Sequence, residues 1–380
     1  MGSAIDVGAS FDRPPNRQHS LLWNLSGIQD SAQASGVGTA IDAPAPSWVG
    51  FEDVWIPVAP GLEISARLGV ATDRDTPRTA DCVVILPGLL GDNSVLRTRD
   101  VAAALHHAGL HVLAVELRGH GQTEARYPNF AYNFGVLETG DLLAVDQWLR
   151  AKPFVRRTGL IGFCWSANLA LLTAWEDGRA DDDPIITPRL RPFLRPRDGA
   201  RHYEAGVIAF SPVLKFEEIV EQVETDRSML LDPVLDSLQD TVVQRMRRRA
   251  YPRPDGNLRR LIELEFARSP LSYDDAVADG FQYLRLTDHR GKPAGDKLRR
   301  VRCPTLIVHA ANDPLAAPQA VADLIASLPN RNVAALMLPG GGHVGFAPYA
   351  RSFFYGLILA YFDPVTGAGR IANSEALAPD

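Results

Sequence analysis

The amino-acid sequence predicts an α/β fold in which helices cover both faces of a mostly parallel central sheet. Two observations support this prediction: several short segments are apolar throughout, and segments with helical periodicity alternate with them. Strands of a parallel sheet are buried on both faces, so they are continuously apolar rather than alternating between apolar and polar residues.

The strands and helices of this fold can be placed in order along the chain. Segments 48–58 and 62–70, separated by Pro60-Gly61, predict an antiparallel hairpin. Buried strands are predicted at 81–86, 110–117, 158–163, 205–209, 305–310 and 333–338. Helices are predicted at 94–108, 137–151, 318–328 and 350–362, and another helix follows the strand at 158–163.

The remaining segments set the domain boundaries. Between 213 and 300 no strand pattern occurs, and helical patterns at 216–223, 233–249 and 258–267 predict a helical lid inserted into the sheet domain. We therefore expect a core of residues 47–212 and 301–362, with the lid at 213–300. Residues 1–46 are rich in Ser, Gly, Ala, Asp and Pro and predict a loosely ordered arm, and 363–380 predict a polar tail.

Two Arg-rich stretches allow two interpretations each. The run Arg245-Met246-Arg247-Arg248-Arg249 either attracts an acidic substrate or phosphate, or forms the charged outer face of a helix. Residues 178–203 contain three consecutive Asp residues and several Arg and Pro residues. They form either an anion-binding flap or a solvated surface loop.

Composition and charge exclude several classes of protein. The chain has 380 residues, of which 46% are hydrophobic and 22% charged, as is typical of a soluble globular protein. The net charge of -6 argues against nucleic acid as a partner. No apolar run is long enough for a transmembrane segment and no signal peptide opens the chain, so a cytoplasmic protein is expected. The sequence leaves the oligomeric state undetermined.

The cysteines point to chemistry rather than to structural cross-links. The chain has three, Cys82, Cys164 and Cys303, which are widely spaced and contain no CxxC pair. This pattern predicts neither a disulfide framework nor a metal site. Cys82 and Cys303 each begin an apolar run and are interpreted as small core residues. We expect no metal and no organic cofactor.

Cys164 lies where a buried strand turns sharply into a helix. The segment from Gly162 to Ser166 has the nucleophile-elbow pattern G-x-S-x-G, with Cys164 in the Ser position and Ser166 in the second Gly position. The corner residue of such a turn has strained dihedral angles, and the residues two positions before and after it must be small. A nucleophile at Ser166 is the alternative, but it would place Asn168, a large residue, at a crowded position.

Cys164, Asp313 and His343 follow three different buried strands, in the order nucleophile, acid, base. Because ligands of parallel sheets gather at the carboxyl ends of strands, the three side chains are expected to meet there. His343 can take the proton of the thiol, and Asp313 can orient the imidazole. The backbone N–H groups of Trp165 and Leu89 are the expected oxyanion donors.

With these motifs the chain resembles the α/β-hydrolases, and the resemblance covers about residues 50–362. Within that superfamily the chain is most similar to the YheT-like hydrolases and their ABHD relatives. The motifs that match them are Gly162-Phe163-Cys164-Trp165-Ser166-Ala167-Asn168, Asn312-Asp313-Pro314 and Gly341-Gly342-His343-Val344-Gly345-Phe346. The chain departs from that branch at the elbow, where Cys164 replaces Ser, Trp165 replaces Leu and Ser166-Ala167 replace Gly-Gly. A Cys nucleophile on this fold is similar to that of dienelactone hydrolases and polyester synthases.

The residues and the resemblance together predict an acyl hydrolase for a small-molecule or acyl-chain substrate. The expected reaction forms a covalent thioester on Cys164 and hydrolyses a carboxylic ester, lactone or thioester. An acyltransferase, condensing or cyclising enzyme with the same intermediate is the first alternative. A non-catalytic binding protein on a hydrolase fold is the second. The sequence does not identify the substrate.

Overall fold

The computed structural model describes residues 47–196, 198–214, 232–269, 297–344 and 351–362, together with residues 29, 220–221, 271 and 283–286. The predicted arm and the predicted C-terminal tail lie outside the described residues, apart from residue 29. So does most of the helix predicted at 216–223.

A sheet of eight strands, counted in the described residues, forms the centre of the molecule. Its strands are β1 (Phe51–Ala59), β2 (Leu62–Gly69), β5 (Ala80–Leu86), β6 (His111–Glu116), β7 (Val155–Phe163), β8 (Gly206–Phe210), β9 (Thr305–Ala310) and β10 (Val333–Leu338). Two short strands, β3 (Thr72–Asp73) and β4 (Thr76–Pro77), pair with each other outside this sheet. The order across the sheet is β1-β2-β6-β5-β7-β8-β9-β10.

The strand directions confirm a mostly parallel sheet that opens with an antiparallel hairpin. Strand β2 is antiparallel to both β1 and β6, whereas β6, β5, β7, β8, β9 and β10 run parallel. The last residues of the central strands lie side by side: Leu86 pairs with Gly162 and Phe163 pairs with Phe210. The segments that follow these strands therefore emerge at one edge of the sheet.

Helices cover both faces of the sheet, as the sequence predicts. The described helices are α1 (Leu96–His107), α2 (Gly121–Arg126), α3 (Glu138–Arg150), α4 (Trp165–Gly178), α5 (Asp232–Arg248), α6 (Leu258–Ala267), α7 (Pro318–Ser327) and α8 (Arg351–Phe362). Apolar residues of α3, α4 and α7 share one core cluster with the sheet, and those of α1 and α8 share the cluster on the other face. None of the helices that the structure describes has the length and apolar character needed to cross a membrane.

Helix α2 was not expected from the sequence, because its six residues have no helical pattern of apolar positions. Contacts with distant strands hold it in place. The Thr123 hydroxyl donates to the Glu116 carbonyl at 2.7 Å and accepts from the Ser65 N–H at 2.8 Å. The Glu116 carboxylate accepts from the Gln122 N–H at 2.7 Å, in the unpaired first turn of the helix.

The two described α-helices between β8 and β9 contact the sheet domain through buried charged side chains. Arg245 of α5 lies 3.0 Å from the Glu265 carboxylate of α6 and 3.1 Å from Glu124 of α2. Arg249 lies 3.0 Å from Glu124 and 3.3 Å from Glu265. Neither interpretation of the Arg run describes these two residues, because four-residue spacing places both on the inward face of the helix. Arg248, which is half exposed, does face solvent.

Candidate active site

Cys164 occupies a strained corner between β7 and α4. Its φ of 55° and ψ of −124° lie outside the regions that residues with side chains usually adopt. The Cys164 N–H donates to the Phe210 carbonyl at 2.9 Å, which holds the corner against the end of β8. A Cβ on Gly162 would lie 2.1 Å from the carbonyl oxygen of Ser166, so the expected need for a small residue at position 162 is confirmed.

The structure brings Cys164 rather than Ser166 to His343. The Cys164 thiol lies near the His343 imidazole, and each of the two groups shifts the pKa of the other. Ser166 lies in the first turn of α4 and is 2% exposed. Asn168 is fully buried in the same helix, where its side-chain amide donates to the Val213 carbonyl. The geometry therefore favours Cys164 as the reactive residue of the elbow.

His343 and Asp313 form a buried pair on neighbouring loops. Nδ1 of His343 lies 3.1 Å from Oδ1 and 2.9 Å from Oδ2 of Asp313. Because Nδ1 is engaged by the carboxylate, Nε2 is the ring nitrogen that can serve Cys164. The imidazole of His343 thus lies between the candidate nucleophile, Cys164, and the candidate acid, Asp313, as a catalytic triad requires.

The three groups shift one another's pKa values toward their charged forms. Burial acts to raise the pKa of the Cys164 thiol, but the neighbouring His343, chiefly through its charge, lowers it overall. Burial likewise opposes a charged His343, but the Asp313 carboxylate and then Cys164 raise the pKa of the imidazole well above its usual value. Burial acts to raise the pKa of Asp313 too, but the charge of His343 lowers it.

Two backbone N–H groups complete the surroundings of the Cys164 sulfur. The N–H groups of Trp165 and Leu89 lie near it and contribute to its lowered pKa. Trp165 is the first residue of α4, so its N–H lies at the positive end of a 14-residue helix. Leu89 follows Gly88, where an added Cβ would lie 3.6 Å from Cβ of Cys164. That these two N–H groups act as oxyanion donors stays a prediction.

The loop that carries His343 is held on both sides of the imidazole. The Gly342 N–H donates to Oδ1 of Asn312 at 2.8 Å, and the Val344 N–H donates to the Ser211 hydroxyl at 3.1 Å. Gly342 and Val344 both have positive φ, 58° and 49°. In the sequence, Asn312 belongs to a motif but has no predicted role, and Ser211, which directly follows β8, carries no signal of its own.

His309 is a buried histidine beside the acid that the sequence analysis missed. It lies on β9, and its Nε2 is 3.6 Å from Oδ2 of Asp313 and 3.0 Å from the Ala316 carbonyl. The signal that could have found it is a lone His within an apolar strand, four residues before Asp313.

The other cysteines match their expected place in the core. All three cysteines are free; Cys82 is fully buried and Cys303 is 5% exposed. Burial raises the pKa of both thiols, to about 12 for Cys303, so Cys164 is the thiol suited to react. Within the described ranges, no group of three or more His, Cys, Asp or Glu side chains is arranged to hold a metal ion.

The loop at 178–203 is neither a flap nor fully solvated in its described part. Ile186, Leu190 and Leu194 are buried against the core cluster that contains α4. His202 fastens the end of the loop, with Nδ1 2.6 Å from Asp146 and Nε2 3.2 Å from Asp198.

The chain belongs to the Alpha/beta hydrolase family, whose sequence profile matches residues 83–352. Similar solved structures include the Pyrococcus furiosus esterase Pf2001, which is 14% identical; the match covers 83% of this chain and 95% of that chain with a TM-score of 0.50. A 2,6-dihydroxy-pseudo-oxynicotine hydrolase is also 14% identical, with 86% of this chain and 68% of that chain covered and a TM-score of 0.51. At these identities the likenesses show the fold. A comparison with curated proteins gave no significant match.

Proposed function

We propose that this member of the family is an acyl hydrolase that cleaves a carboxylic ester, lactone or thioester through an acyl group on Cys164. One observation carries the proposal: Cys164 lies at the strained corner before α4, near a His343 imidazole that Asp313 contacts at 2.9 Å. The N–H groups of Leu89 and Trp165 are also near the sulfur and act to lower its pKa. A nucleophile, a proton carrier and two oxyanion donors are the parts that acyl transfer requires.

In the first half of the proposed reaction, the Cys164 thiolate attacks the acyl carbon and forms a C–S bond. The carbonyl oxygen becomes negatively charged and accepts hydrogen bonds from Leu89 N–H and Trp165 N–H. As the bond to the leaving group breaks, the His343 imidazolium gives its proton to the departing oxygen or sulfur. Asp313 keeps the imidazole oriented and stabilises its charged form.

In the second half, water takes the place of the leaving group. The now neutral His343 accepts a proton from the water as the water oxygen bonds to the acyl carbon. The C–S bond then breaks, the thiolate returns and the free acid leaves. The imidazolium is restored with the thiolate, so the site is ready for another cycle.

We also propose that residues 213–300 form a lid over a core made of residues 47–212 and 301–362. The buried contacts of Arg245 and Arg249 with Glu124, which belongs to that core, support a fixed attachment of helices α5 and α6 to it. We place the chain nearest to the YheT-like and ABHD hydrolases, on the strength of the motifs around Asp313 and His343. A cytoplasmic location stays a prediction.

The test is detection of the acyl group on Cys164. The full chain is mixed with 4-nitrophenyl esters, lactones and acyl thioesters, and its intact mass is recorded during turnover. An added acyl mass on Cys164, and its loss in Cys164→Ala, are expected. Cys303→Ala is the matched control, since this core thiol has a raised pKa and should leave turnover unchanged. Unchanged turnover in Cys164→Ala would refute the proposal.

The thiol at position 164 favours one second candidate, acyl transfer to an acceptor other than water. A thioester intermediate reacts readily with amines and thiols, so a transferase or cyclising enzyme would use the same site. Turnover in the presence of a primary amine, with analysis of the products, separates the two functions. Release of free acid alone excludes the transferase.

A non-catalytic binding protein would give a third result. Its Cys164 thiol would resist iodoacetamide in the folded protein and show no lowered pKa. Rapid, stoichiometric alkylation of Cys164 near neutral pH is expected instead.

A further inference from the structure

His309 contributes a fully buried imidazole next to Asp313. It is the fifth of the six residues of β9, and its side chain is 0% exposed. Its strand neighbour Val308 belongs to the core cluster of α1 and α8, whereas Ile307 belongs to the cluster of α3, α4 and α7. Alternation along the strand therefore turns His309 toward the face that carries α7.

The hydrogen bonds of His309 determine which ring nitrogen carries the proton. Nε2 lies 3.0 Å from the carbonyl oxygen of Ala316, and a carbonyl only accepts, so Nε2 carries the hydrogen. Nδ1 is buried and has no hydrogen-bond partner among the described residues. A proton on Nδ1 would place an unmatched N–H in the core, so the ring is neutral.

This neutral ring is part of the structure that holds the acid. Oδ1 of Asp313 accepts from the N–H groups of Leu315 and Ala316, both at 2.9 Å. The carbonyl of the same Ala316 accepts from Nε2 of His309. The turn at 313–316 is thus held by two side chains: Asp313 accepts from its N–H groups, and His309 donates to its carbonyl at Ala316. Both carboxylate oxygens face Nδ1 of His343, Oδ2 at 2.9 Å and Oδ1 at 3.1 Å.

We propose that His309 is a positioning residue for Asp313, whose Nε2–H braces the turn and aims the carboxylate at His343. This inference rests on the proposed Cys164-His343-Asp313 triad. His309 acts only through Asp313. A second cation beside this carboxylate would compete with His343, whereas a neutral N–H leaves the full negative charge for the imidazolium.

The charged groups that face His309 agree with a neutral ring. Burial lowers the pKa of His309; the Asp313 carboxylate and the hydrogen bond to Ala316 oppose that shift, and His343 adds to it. The net direction is downward, in agreement with the neutral ring that the hydrogen bonds of His309 require.

Replacement of His309 by Leu and by Gln tests the proposal in the full chain. Leu removes the N–H at a similar size, whereas Gln keeps an N–H donor at about the reach of Nε2. The readout is the pH dependence of iodoacetamide alkylation at Cys164, located by peptide mass, because it reports the thiolate. Without the brace the imidazolium loses stabilisation, so the midpoint should move to higher pH in His309→Leu. Turnover of a 4-nitrophenyl ester should fall by up to about 10²-fold, as misplacement near 1 Å does. His309→Gln should keep the midpoint.

His111→Leu is the matched control. His111 is also fully buried, begins β6 at the opposite end of the sheet and has its Nε2 2.9 Å from the Arg78 carbonyl. This variant should lose stability in urea without a shift of the alkylation midpoint.

Each result decides the proposal. An unmoved midpoint in His309→Leu, or an equal shift in His111→Leu, overturns the positioning role. If His309→Leu does not fold, His309→Asn replaces it, because its shorter amide does not reach Ala316; equal midpoints in the Asn and Gln variants also overturn the role. Turnover that survives Cys164→Ala refutes the triad itself, whereas dependence on Cys164 with an unmoved midpoint refutes only the role of His309.

Discussion

Asn312 and Gly342 join the loop of the acid to the loop of the base, with Oδ1 of Asn312 accepting the Gly342 N–H at 2.8 Å. Each of the two residues directly precedes a member of the proposed triad. Asp313 in turn contacts Nδ1 of His343 with both carboxylate oxygens. The position of the imidazole is thus set twice, once through its side chain and once through its backbone.

Loss of the Asn312 amide should impair catalysis more than folding. In Asn312→Ala the loop of His343 keeps the hydrogen bond from the Val344 N–H to Ser211. It loses the hydrogen bond that the Gly342 N–H donates to Asn312. We expect kcat to fall by about 10- to 100-fold through misplacement of the base, with a smaller change in KM. The free energy of unfolding should fall by about 1–3 kcal/mol, as for an unmatched buried group.

Asn330→Ala is the control for this variant. Asn330 is also buried, and its side chain donates to the carbonyls of Leu298 and Val301 at 2.7 and 2.9 Å, in another loop. It should lose similar stability in urea while kcat stays near that of the wild type. Equal losses of kcat in both variants would show that Asn312 acts through general stability.

The parts of this site that the sequence predicts are those that local patterns encode. Cys164, Asp313 and His343 each follow an apolar strand, and parallel strands bring their carboxyl ends to one edge. The contacts that hold them could not be predicted in this way. Ser211 and Val344 are 133 residues apart, and their hydrogen bond exists only once β8 and the loop after β10 are neighbours.

The same limit applies to the Arg run of α5. Sequence spacing shows that Arg245 and Arg249 share a helix face, but it does not show what that face meets. The partners, Glu124 and Glu265, lie on two other helices, and burial of four charged side chains together is a property of the tertiary packing. From the sequence alone, a run of charges therefore predicts either a solvent-exposed face or a ligand site.

Substitution of Gly162 should open the elbow. In Gly162→Ala the new Cβ would lie 2.1 Å from the oxygen and 2.5 Å from the carbon of the Ser166 carbonyl, so strand and helix must separate. We expect a loss of about 3 kcal/mol in urea unfolding, as for severe overpacking, and loss of acylation at Cys164. Gly356→Ala, on the exposed side of α8 with nothing within 4 Å of an added Cβ, should instead gain about 0.5–1 kcal/mol. An unchanged free energy of unfolding in Gly162→Ala would mean that β7 and α4 can move apart at the elbow without cost.

Removal of the charge on Glu265 should destabilise the attachment of helices α5 and α6. Glu265→Gln keeps the shape of the side chain but leaves Arg245 and Arg249 with Glu124 as their shared carboxylate. Breaking a buried ion pair on one side costs about 3–5 kcal/mol, and the lower end is expected here because Glu124 remains. Urea unfolding measures the loss.

Arg248→Gln provides the comparison on the same helix. Arg248 lies 3.3 Å from Glu124 but its side chain is 51% exposed, so its loss should change stability by about 0–1 kcal/mol. If the Arg248 and Glu265 variants lose the same free energy of unfolding, burial does not make this ion-pair network more stabilising than an exposed pair.

The His202–Asp146 pair should make stability depend on pH with a defined sign. Burial acts to lower the pKa of His202, but the hydrogen bond and charge of Asp146 raise it overall from 6.5. The folded state therefore holds this proton more tightly than the unfolded state does. The contribution to stability is complete below about pH 6.5 and is lost as the pH rises through the raised pKa. Each unit of that increase is worth about 1.4 kcal/mol.

Comparison with His202→Gln isolates this contribution. Burial lowers the pKa of Lys297 to about 7, and that group acts in the opposite direction, since its unfolded state binds the extra proton above this pH. The wild-type curve contains both effects, whereas the difference in free energy of unfolding between wild type and His202→Gln cancels the Lys297 effect. That difference should be largest at pH 5.5–6, where Asp146 is still ionised. Burial acts to raise the pKa of Asp146, but its hydrogen bonds with His202 and Thr158 lower it overall. It should shrink steadily toward pH 9; a difference that is flat or grows with pH would show that His202 is neutral in the folded protein.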